Sequence, residues 1–122
     1  LTTFCLHLER NLLAKLEPSG LLSSVPQLSG LYLNNNIIAS IVPKALDPAP
    51  KLDVLHLEAN ALTEVPSDAL GHTPLLSELR LSGNPIRWIG PRAFRAVAES
   101  LKHLHIDRMS LQKVEGQKAL GF

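Results

Sequence analysis

Leucines recur along the chain in a fixed pattern that alternates with polar residues. The segments that begin at Leu28, Leu52 and Leu76 read LSGLYLNNNIIASIVPKAL, LDVLHLEANALTEVPSDAL and LSELRLSGNPIRWIGPRAF. They share the motif L-x-x-L-x-L-x-x-N-x-L/I-x-x-I/V, followed five residues later by Leu or Phe, and they start 24 residues apart. Looser copies begin at Thr3 and Leu101. Self-similarity at a fixed period indicates a repeat architecture in which each repeat is one structural unit.

Each repeat is predicted to form one short strand, a turn and a return segment. Period-two alternation sends the two leucines of the L-x-L unit to one face and the residue between them to the other. Pro43, Pro66 and Pro91 lie in the return segments and exclude a long helix there. One repeat cannot bury its own apolar face, but about three stacked repeats make a continuous core. We therefore predict an α/β solenoid, an arc with a parallel β-sheet on its concave face and irregular, turn or short 3-10 segments on its convex face.

The pattern predicts a single repeat domain over the whole chain. Its repeats are expected at approximately 3–27, 28–51, 52–75, 76–100 and 101–122. The chain begins at Leu1 rather than Met, and the last repeat ends in QKALGF without a polar cap. An open solenoid end exposes apolar edges. We therefore expect a fragment of a longer solenoid, or a chain that is stabilised by a partner or self-associates through its open ends.

An asparagine column marks the point where the chain turns out of each strand. A turn buried there leaves backbone donors and acceptors unpaired, and a short amide side chain can satisfy both kinds. The predicted structural ladder consists of Asn11, Asn36, Asn60 and Asn84.

The sequences of the return segments resemble those of a known class of proteins. EVPSDAL and IGPRAF match the ending L/V-P-x-x-A-F/L, and with the 24-residue repeat they resemble the extracellular, typical class of leucine-rich repeat proteins. That class includes small leucine-rich matrix proteoglycans, chondroadherin-like proteins and the ectodomains of repeat receptors. The resemblance implies a secreted, extracellular solenoid that binds a protein partner: a matrix protein, a growth factor or a receptor. The chain departs from the class because Cys5 is its only cysteine, whereas secreted members carry cysteine clusters as end caps.

Two columns of polar side chains are predicted to face away from the core. One contains His7, Tyr32, His56, Arg80 and His105, and the next contains Glu9, Asn34, Glu58, Ser82 and Asp107. We predict that eight of these residues bind the partner: His7, Tyr32, Asn34, His56, Glu58, Arg80, His105 and Asp107. Tyr32 and Arg80 are the expected anchors, since Tyr and Arg dominate interface energetics. The alternative is a solvated face that only keeps the solenoid soluble.

The HLHID segment places His103, His105 and Asp107 on one face of a strand. Alternate side chains lie about 7 Å apart along a strand, too far for ligands that must all lie about 2.1 Å from a zinc ion. We predict no metal and no cofactor. Imidazoles beside carboxylates instead predict a partner affinity that depends on pH between about 5 and 7. A constant affinity over that range would remove this hypothesis.

Other function classes are disfavoured by what the sequence contains. The formal net charge is +1 without a basic stripe, so we predict no nucleic-acid partner. The apolar runs are too short for a membrane span. No phosphate-binding loop, nucleophile elbow or metalloprotease motif occurs, so we predict no enzyme. The leading hypothesis is an extracellular protein-binding module. The alternatives are an intracellular repeat adaptor, favoured by the missing cysteine caps and Asn-x-Ser/Thr sequons, and a structural fragment that associates through its ends.

Two residues keep open assignments. Trp88 either shields the backbone turn that follows the ladder asparagine or forms an exposed anchor on the flank of the solenoid. Cys5 is either an unpaired residue without a role or one half of an intermolecular disulfide.

Overall fold

The computed structural model describes residues 4–17, 20–110 and 113–114, with only the backbone described at 20–21 and 113–114. The strands are β1 (Phe4–His7), β2 (Lys15–Leu16), β3 (Leu28–Tyr32), β4 (Ser40–Ile41), β5 (Val54–His56), β6 (Glu78–Arg80), β7 (Trp88–Ile89), β8 (His103–His105) and β9 (Lys113–Val114). The helices are α1 (Gly20–Ser23), α2 (Ser67–Leu70) and a 3-10 helix at Arg95–Val97. The predicted start of the first repeat at Thr3 and the end of the last repeat lie outside the described residues.

Five strands form one parallel sheet in the order β1-β3-β5-β6-β8. Equivalent residues of successive repeats pair directly, so that Leu31 pairs with Leu55 and Leu55 with Leu79. Each turn of the chain therefore stacks on the one before it, as a solenoid requires. The predicted α/β solenoid with a parallel sheet is confirmed, with about four turns.

The core consists of leucine columns that run along the solenoid. Leu31 is 1 % exposed, and Leu55 and Leu79 are 0 % exposed. Further buried columns contain Leu33, Leu57 and Leu81; Ile38, Leu62 and Ile86; and Leu46, Leu70 and Phe94. Complete burial of one such side chain stabilises a fold by about 1.5–3 kcal/mol. Leu6 and Leu104 continue the first column on the outer strands β1 and β8, where they are only half-buried.

The return segments differ from the prediction in two respects. Two of them contain a single turn of α-helix, and the short parallel pairs β2–β4 and β7–β9 accompany them. Helix α2 follows Pro66, a residue tolerated at a helix start because the first N–H groups have no intrahelical partner. Leu70 N donates to Pro66 O at 3.1 Å and closes this one turn. The prolines therefore exclude long helices but not isolated helical turns.

The residue before each ladder position adopts a left-handed backbone. The φ angle is 61° at Arg10, 61° at Asn35, 56° at Ala59, 75° at Gly83 and 53° at Arg108. Glycine adopts this conformation freely, whereas a residue with a Cβ incurs a cost of about 1–2 kcal/mol. Every repeat except the one that contains Gly83 therefore carries a conformational cost where its strand turns toward the core.

We expect Ala59→Gly to raise the free energy of unfolding by about 0.5–1 kcal/mol, because it removes the Cβ that crowds the left-handed backbone. Ala39→Gly is the matched control. Ala39 is exposed and has no positive φ, so the same change should lower stability by about 0.5–1 kcal/mol. Urea unfolding followed by circular dichroism measures both variants, and equal losses would contradict the account.

Candidate functional site

Three columns of side chains project from the five-stranded sheet away from the core, and together they form what we call the concave face. Strand pairing aligns the columns across the repeats. The first, of which the sequence-based prediction included only His103, contains Cys5, Gly30, Val54, Glu78 and His103. The second contains His7, Tyr32, His56, Arg80 and His105. Backbone hydrogen bonds continue past the strand ends and align the third, which contains Glu9, Asn34, Glu58, Ser82 and Asp107. All eight predicted partner-binding residues therefore lie on one surface.

Tyr32 packs between two histidine rings. The His7 ring is parallel to it, with centroids 4.4 Å apart and an interplanar angle of 2°. The His56 ring meets it edge-on, with centroids 4.7 Å apart and an interplanar angle of 88°. Both are preferred aromatic geometries. Burial raises the pKa of the Tyr32 hydroxyl, and the neighbouring Cys5 acts in the same direction. The hydroxyl is therefore protonated at neutral pH and can donate a hydrogen bond.

Gly30 provides the space in which Cys5 and Tyr32 meet. A Cβ at Gly30 would lie 2.9 Å from the Cys5 Sγ and 3.1 Å from the Tyr32 Cε2. The Cys5 thiol is exposed and forms no disulfide. An intermolecular disulfide at Cys5 stays a prediction.

Glu78 lies at the centre of an ionic cluster on the concave face. Its Oε2 accepts a hydrogen bond from His56 Nε2 at 2.5 Å and lies 3.2 Å from Arg80 Nε. Arg80 Nη1 also lies 3.6 Å from Glu58 Oε2. The side chains of His56, Glu78 and Glu58 are only 14 %, 23 % and 25 % exposed. The cluster therefore holds Arg80, one of the predicted anchors, between two carboxylates.

The His56 hydrogen bond is the largest cause of a lowered pKa at the Glu78 carboxyl; burial opposes it, and the charge of Arg80 lowers it further. Because the folded-state pKa lies below the ordinary value of 4.5, the cluster's contribution to stability is complete above that pH. The contribution disappears as the pH falls through the lowered pKa.

We expect Glu78→Gln to lower stability at pH 7 by about 1 kcal/mol and to flatten the acid limb of the stability curve. Unfolding free energies measured from pH 7 down to pH 3 test this expectation. Glu99→Gln is the control, because Glu99 is exposed and forms no ion pair within the described residues. An acid limb that is as steep in Glu78→Gln as in the parent would show that the cluster does not stabilise the fold.

The ends of the concave face carry further carboxylates. Glu9 Oε2 lies 3.1 Å from His7 Nδ1. At the other end the Ser82 hydroxyl donates to the Asp107 carboxylate, and this hydrogen bond is the main cause of the lowered pKa of Asp107. His103 and His105 are exposed beside it. Within the described residues, no group of three or more His, Cys, Asp or Glu side chains is arranged to hold a metal ion.

The ladder asparagines connect neighbouring repeats. Asn84 Nδ2 donates to Leu81 O at 2.8 Å in its own repeat and to Leu57 O at 2.9 Å in the previous one. Its Oδ1 accepts from Leu62 N at 3.0 Å. Asn36 and Asn60 make the equivalent bonds, whereas Asn11 is exposed and bonds only within its own repeat through its side chain. Each inner asparagine thus fastens the turn of one repeat to the turn before it.

Trp88 lies outside the concave face, in β7 on the flank of the solenoid. A Cβ at Gly90 would lie 3.0 Å from its ring, so the ring covers that backbone, yet the residue is 51 % exposed. The ring therefore shields backbone, as one interpretation of Trp88 predicts, and is also half-exposed on the flank, as the other predicts. In the part of the chain that the structure describes, no helix combines the length and the hydrophobicity that a membrane crossing needs.

The fold recurs in a solved structure. A chain of the TLR13–ssRNA13 complex superimposes with a TM-score of 0.71 over 98 % of this chain at 23 % sequence identity. This chain spans 20 % of the length of that one. The search of curated proteins gives no sequence match.

A family model described as leucine rich repeat matches residues 5–62 and residues 50–111. The two matched segments overlap and together include residues of all five strands of the large sheet. The chain therefore belongs to the leucine-rich repeat family.

Proposed function

We propose that this chain is a non-catalytic protein-binding module that receives its partner on the concave face. Leucine-rich repeat proteins generally mediate protein–protein interactions. The observation that carries the proposal is the fixed arrangement of Tyr32 between His7 and His56, next to Arg80 between two carboxylates. Side chains already held in one conformation lose less entropy on binding, so such a surface favours affinity.

The chemistry of the face favours a partner with basic groups and an exposed ring or apolar side chain. The three columns contain four carboxylates and one guanidinium, and that guanidinium is already held by Glu58 and Glu78. Lys or Arg side chains of a partner would complement the carboxylates, while Tyr32 offers an aromatic contact. Tyr is among the residue types that dominate interface energies.

Two atoms of the ionic cluster support this proposal. Within the described residues, Glu58 Oε1 and Arg80 Nε are buried without a hydrogen-bond partner. The 3.2 Å contact of Arg80 Nε with Glu78 is close enough for an ion pair, but it is not aligned as a hydrogen bond. An unpaired buried polar atom costs about 1–3 kcal/mol. A partner that draws either side chain outward would offset part of this cost.

RNA is the partner of the TLR13 chain in its solved complex, but the likeness to that chain is one of fold. Glu9, Glu58, Glu78 and Asp107 would repel phosphates, which nucleic-acid-binding surfaces neutralise with Lys and Arg. We therefore propose a protein partner rather than a nucleic acid.

An extracellular, secreted setting is part of the proposal, and its support is the resemblance of the return segments EVPSDAL and IGPRAF to the extracellular repeat class. The matrix proteins, growth factors and receptors that this class binds are the candidate partners. An intracellular adaptor is the alternative, and the extract that supplies the partner distinguishes the two.

The test is a pull-down from extracellular matrix and from cytosol with three forms of the chain: the parent, a Tyr32→Ala, Arg80→Ala double variant and Arg87→Ala. Arg87 is exposed outside the concave face, so its replacement is the control. We expect the parent and the control to capture a matrix protein that the double variant does not capture. Equal retention by all three forms would place the contact surface elsewhere, and capture from cytosol alone would favour the adaptor.

A further inference from the structure

On the flank of the solenoid, outside the concave face, the backbone hydrogen bonding between neighbouring repeats is interrupted. The pair β2–β4 is extended by Val42 N, which donates to Leu16 O at 3.1 Å. One repeat later, 24 residues on, the position of Val42 is occupied by Pro66. Proline has no N–H to donate to the neighbouring repeat. The ladder along this flank is therefore interrupted at the third repeat.

A groove lies between the third and fourth repeats, on the other side of the third repeat from the missing Pro66 N–H. Residues 63–66 form no strand between β4 and β7, and the Val65 carbonyl accepts from Ser67 N at 2.8 Å within its own repeat. The groove has a volume of about 530 Å³, and its apolar lining includes Val65, Pro91 and the Trp88 ring. Trp88 is the only tryptophan of the chain.

The two walls of the groove carry opposite charges. The third repeat contributes Glu64 and Asp68, and the fourth repeat contributes Arg92 and Arg95. All four residues are exposed, and none forms an ion pair with another residue in the part of the chain that the structure describes. Helix α2, which carries Asp68, lies against the 3-10 helix that carries Arg95.

We propose that this groove is a self-association surface and that its occupant is the same groove of a second copy of the chain. A two-fold axis along the groove brings the third repeat of one copy over the fourth repeat of the other. The acidic wall of each copy then faces the basic wall of its partner. A segment of uniform charge would be attracted by one wall and repelled by the other, whereas a second copy complements both. The same contact buries the apolar lining of each groove and both Trp88 rings away from water.

Charge reversal tests this arrangement in a way that separates it from other modes of association. In Glu64→Arg, Asp68→Arg both walls are basic, and in Arg92→Glu, Arg95→Glu both are acidic. Each variant alone should self-associate at least about 10-fold more weakly than the parent, because like charges now face each other. An equimolar mixture of the two variants should recover the association, since every acidic wall again meets a basic one. Sedimentation equilibrium measures the parent, both variants and the mixture, and circular dichroism verifies that each variant is folded.

The fluorescence of Trp88 reports the same event independently of the charge variants. Its emission should shift to shorter wavelength as the parent chain is concentrated, and added salt should reverse the shift because it screens the ion pairs. Lys51→Glu, Lys102→Glu is the control, as it changes the net charge by the same amount as Arg92→Glu, Arg95→Glu at exposed positions outside the groove.

Three results would overturn the proposal. The parent chain could stay monomeric with an emission that does not depend on concentration. The parent and both charge-reversed variants could associate equally well, as they would if the solenoids stacked end to end. The mixture of the two variants could also fail to associate more strongly than either one alone. The proposal does not rest on the concave face, so the Tyr32→Ala, Arg80→Ala variant should self-associate like the parent.

Discussion

Asn84→Ala is expected to lower the free energy of unfolding by about 3–5 kcal/mol, because the change leaves Leu62 N and Leu81 O without partners and removes one of the two hydrogen bonds to Leu57 O. The Asn84 amide donates to Leu57 O and Leu81 O and accepts from Leu62 N. Asn84 is 1 % exposed, so water cannot replace these bonds without opening the core. A loss of this size is a large part of the total stability of a small domain, about 5–15 kcal/mol.

The matched control for this prediction is Asn11→Ala in the same ladder. Asn11 is exposed, and its amide donates to Leu8 O and Glu9 O at a position that water can reach. The expected loss is therefore about 1 kcal/mol or less. Asn60→Ala, which is half-buried, should fall between the two. Urea unfolding measures the series, and a loss that does not follow burial would contradict the role of the ladder.

Leu55→Ala is expected to cost about 3–4 kcal/mol, because Leu55 is 0 % exposed and lies between Leu31 and Leu79 in the central column of the core. The cavity would remove contacts with the layers on both sides, since each repeat of a solenoid is stabilised by its neighbours. Leu6→Ala removes the same side chain from the same column on the outer strand β1, where it is half-buried. That change should cost about 1–2 kcal/mol.

Leu12→Ala completes the comparison, since Leu12 is 84 % exposed and its loss should change stability by no more than about 0.5 kcal/mol. Guanidinium unfolding of the three variants measures the order of their losses in unfolding free energy. If Leu6→Ala and Leu55→Ala cost the same, stability would not depend on how many layers a leucine contacts, and the stacked-layer description of the core would be wrong.

The layered core was predictable because its residues repeat in both type and spacing. Leu31, Leu55 and Leu79 occupy one position of a 24-residue motif, and strand alternation alone assigns them to the inner face. The second and third columns of the concave face followed from the same alternation. The resulting sheet is the one that the structure contains.

Apart from His103, the first column of the concave face was not predicted, because its members share no chemistry. Gly30, Val54 and Glu78 are neighbours only through strand pairing, so no residue type marks the position. Extending the alternation by two residues toward the start of each strand would have found it. The consequence is considerable, since Glu78 organises the ionic cluster around Arg80.

Two further features required coordinates. The left-handed position before each ladder residue holds Arg, Asn, Ala and Gly in different repeats, and only Gly and Asn favour that backbone. Pro66 lacks the N–H that Val42 uses in the preceding repeat, and the groove beside Trp88 lies on the other side of the third repeat, against the fourth. A proline in a return segment was predictable, but the loss of one specific hydrogen bond was not.

Hydroxyl-radical footprinting of the complex shows directly whether the partner covers the concave face. With the protein recovered in the pull-down bound at saturation, we expect the oxidation of Tyr32 and His7 to slow severalfold. The oxidation of Met109 and of the exposed Leu12 should be unchanged, because both lie outside the three columns of the face. Unchanged oxidation of Tyr32 together with protection of Leu12 would show that the partner binds elsewhere.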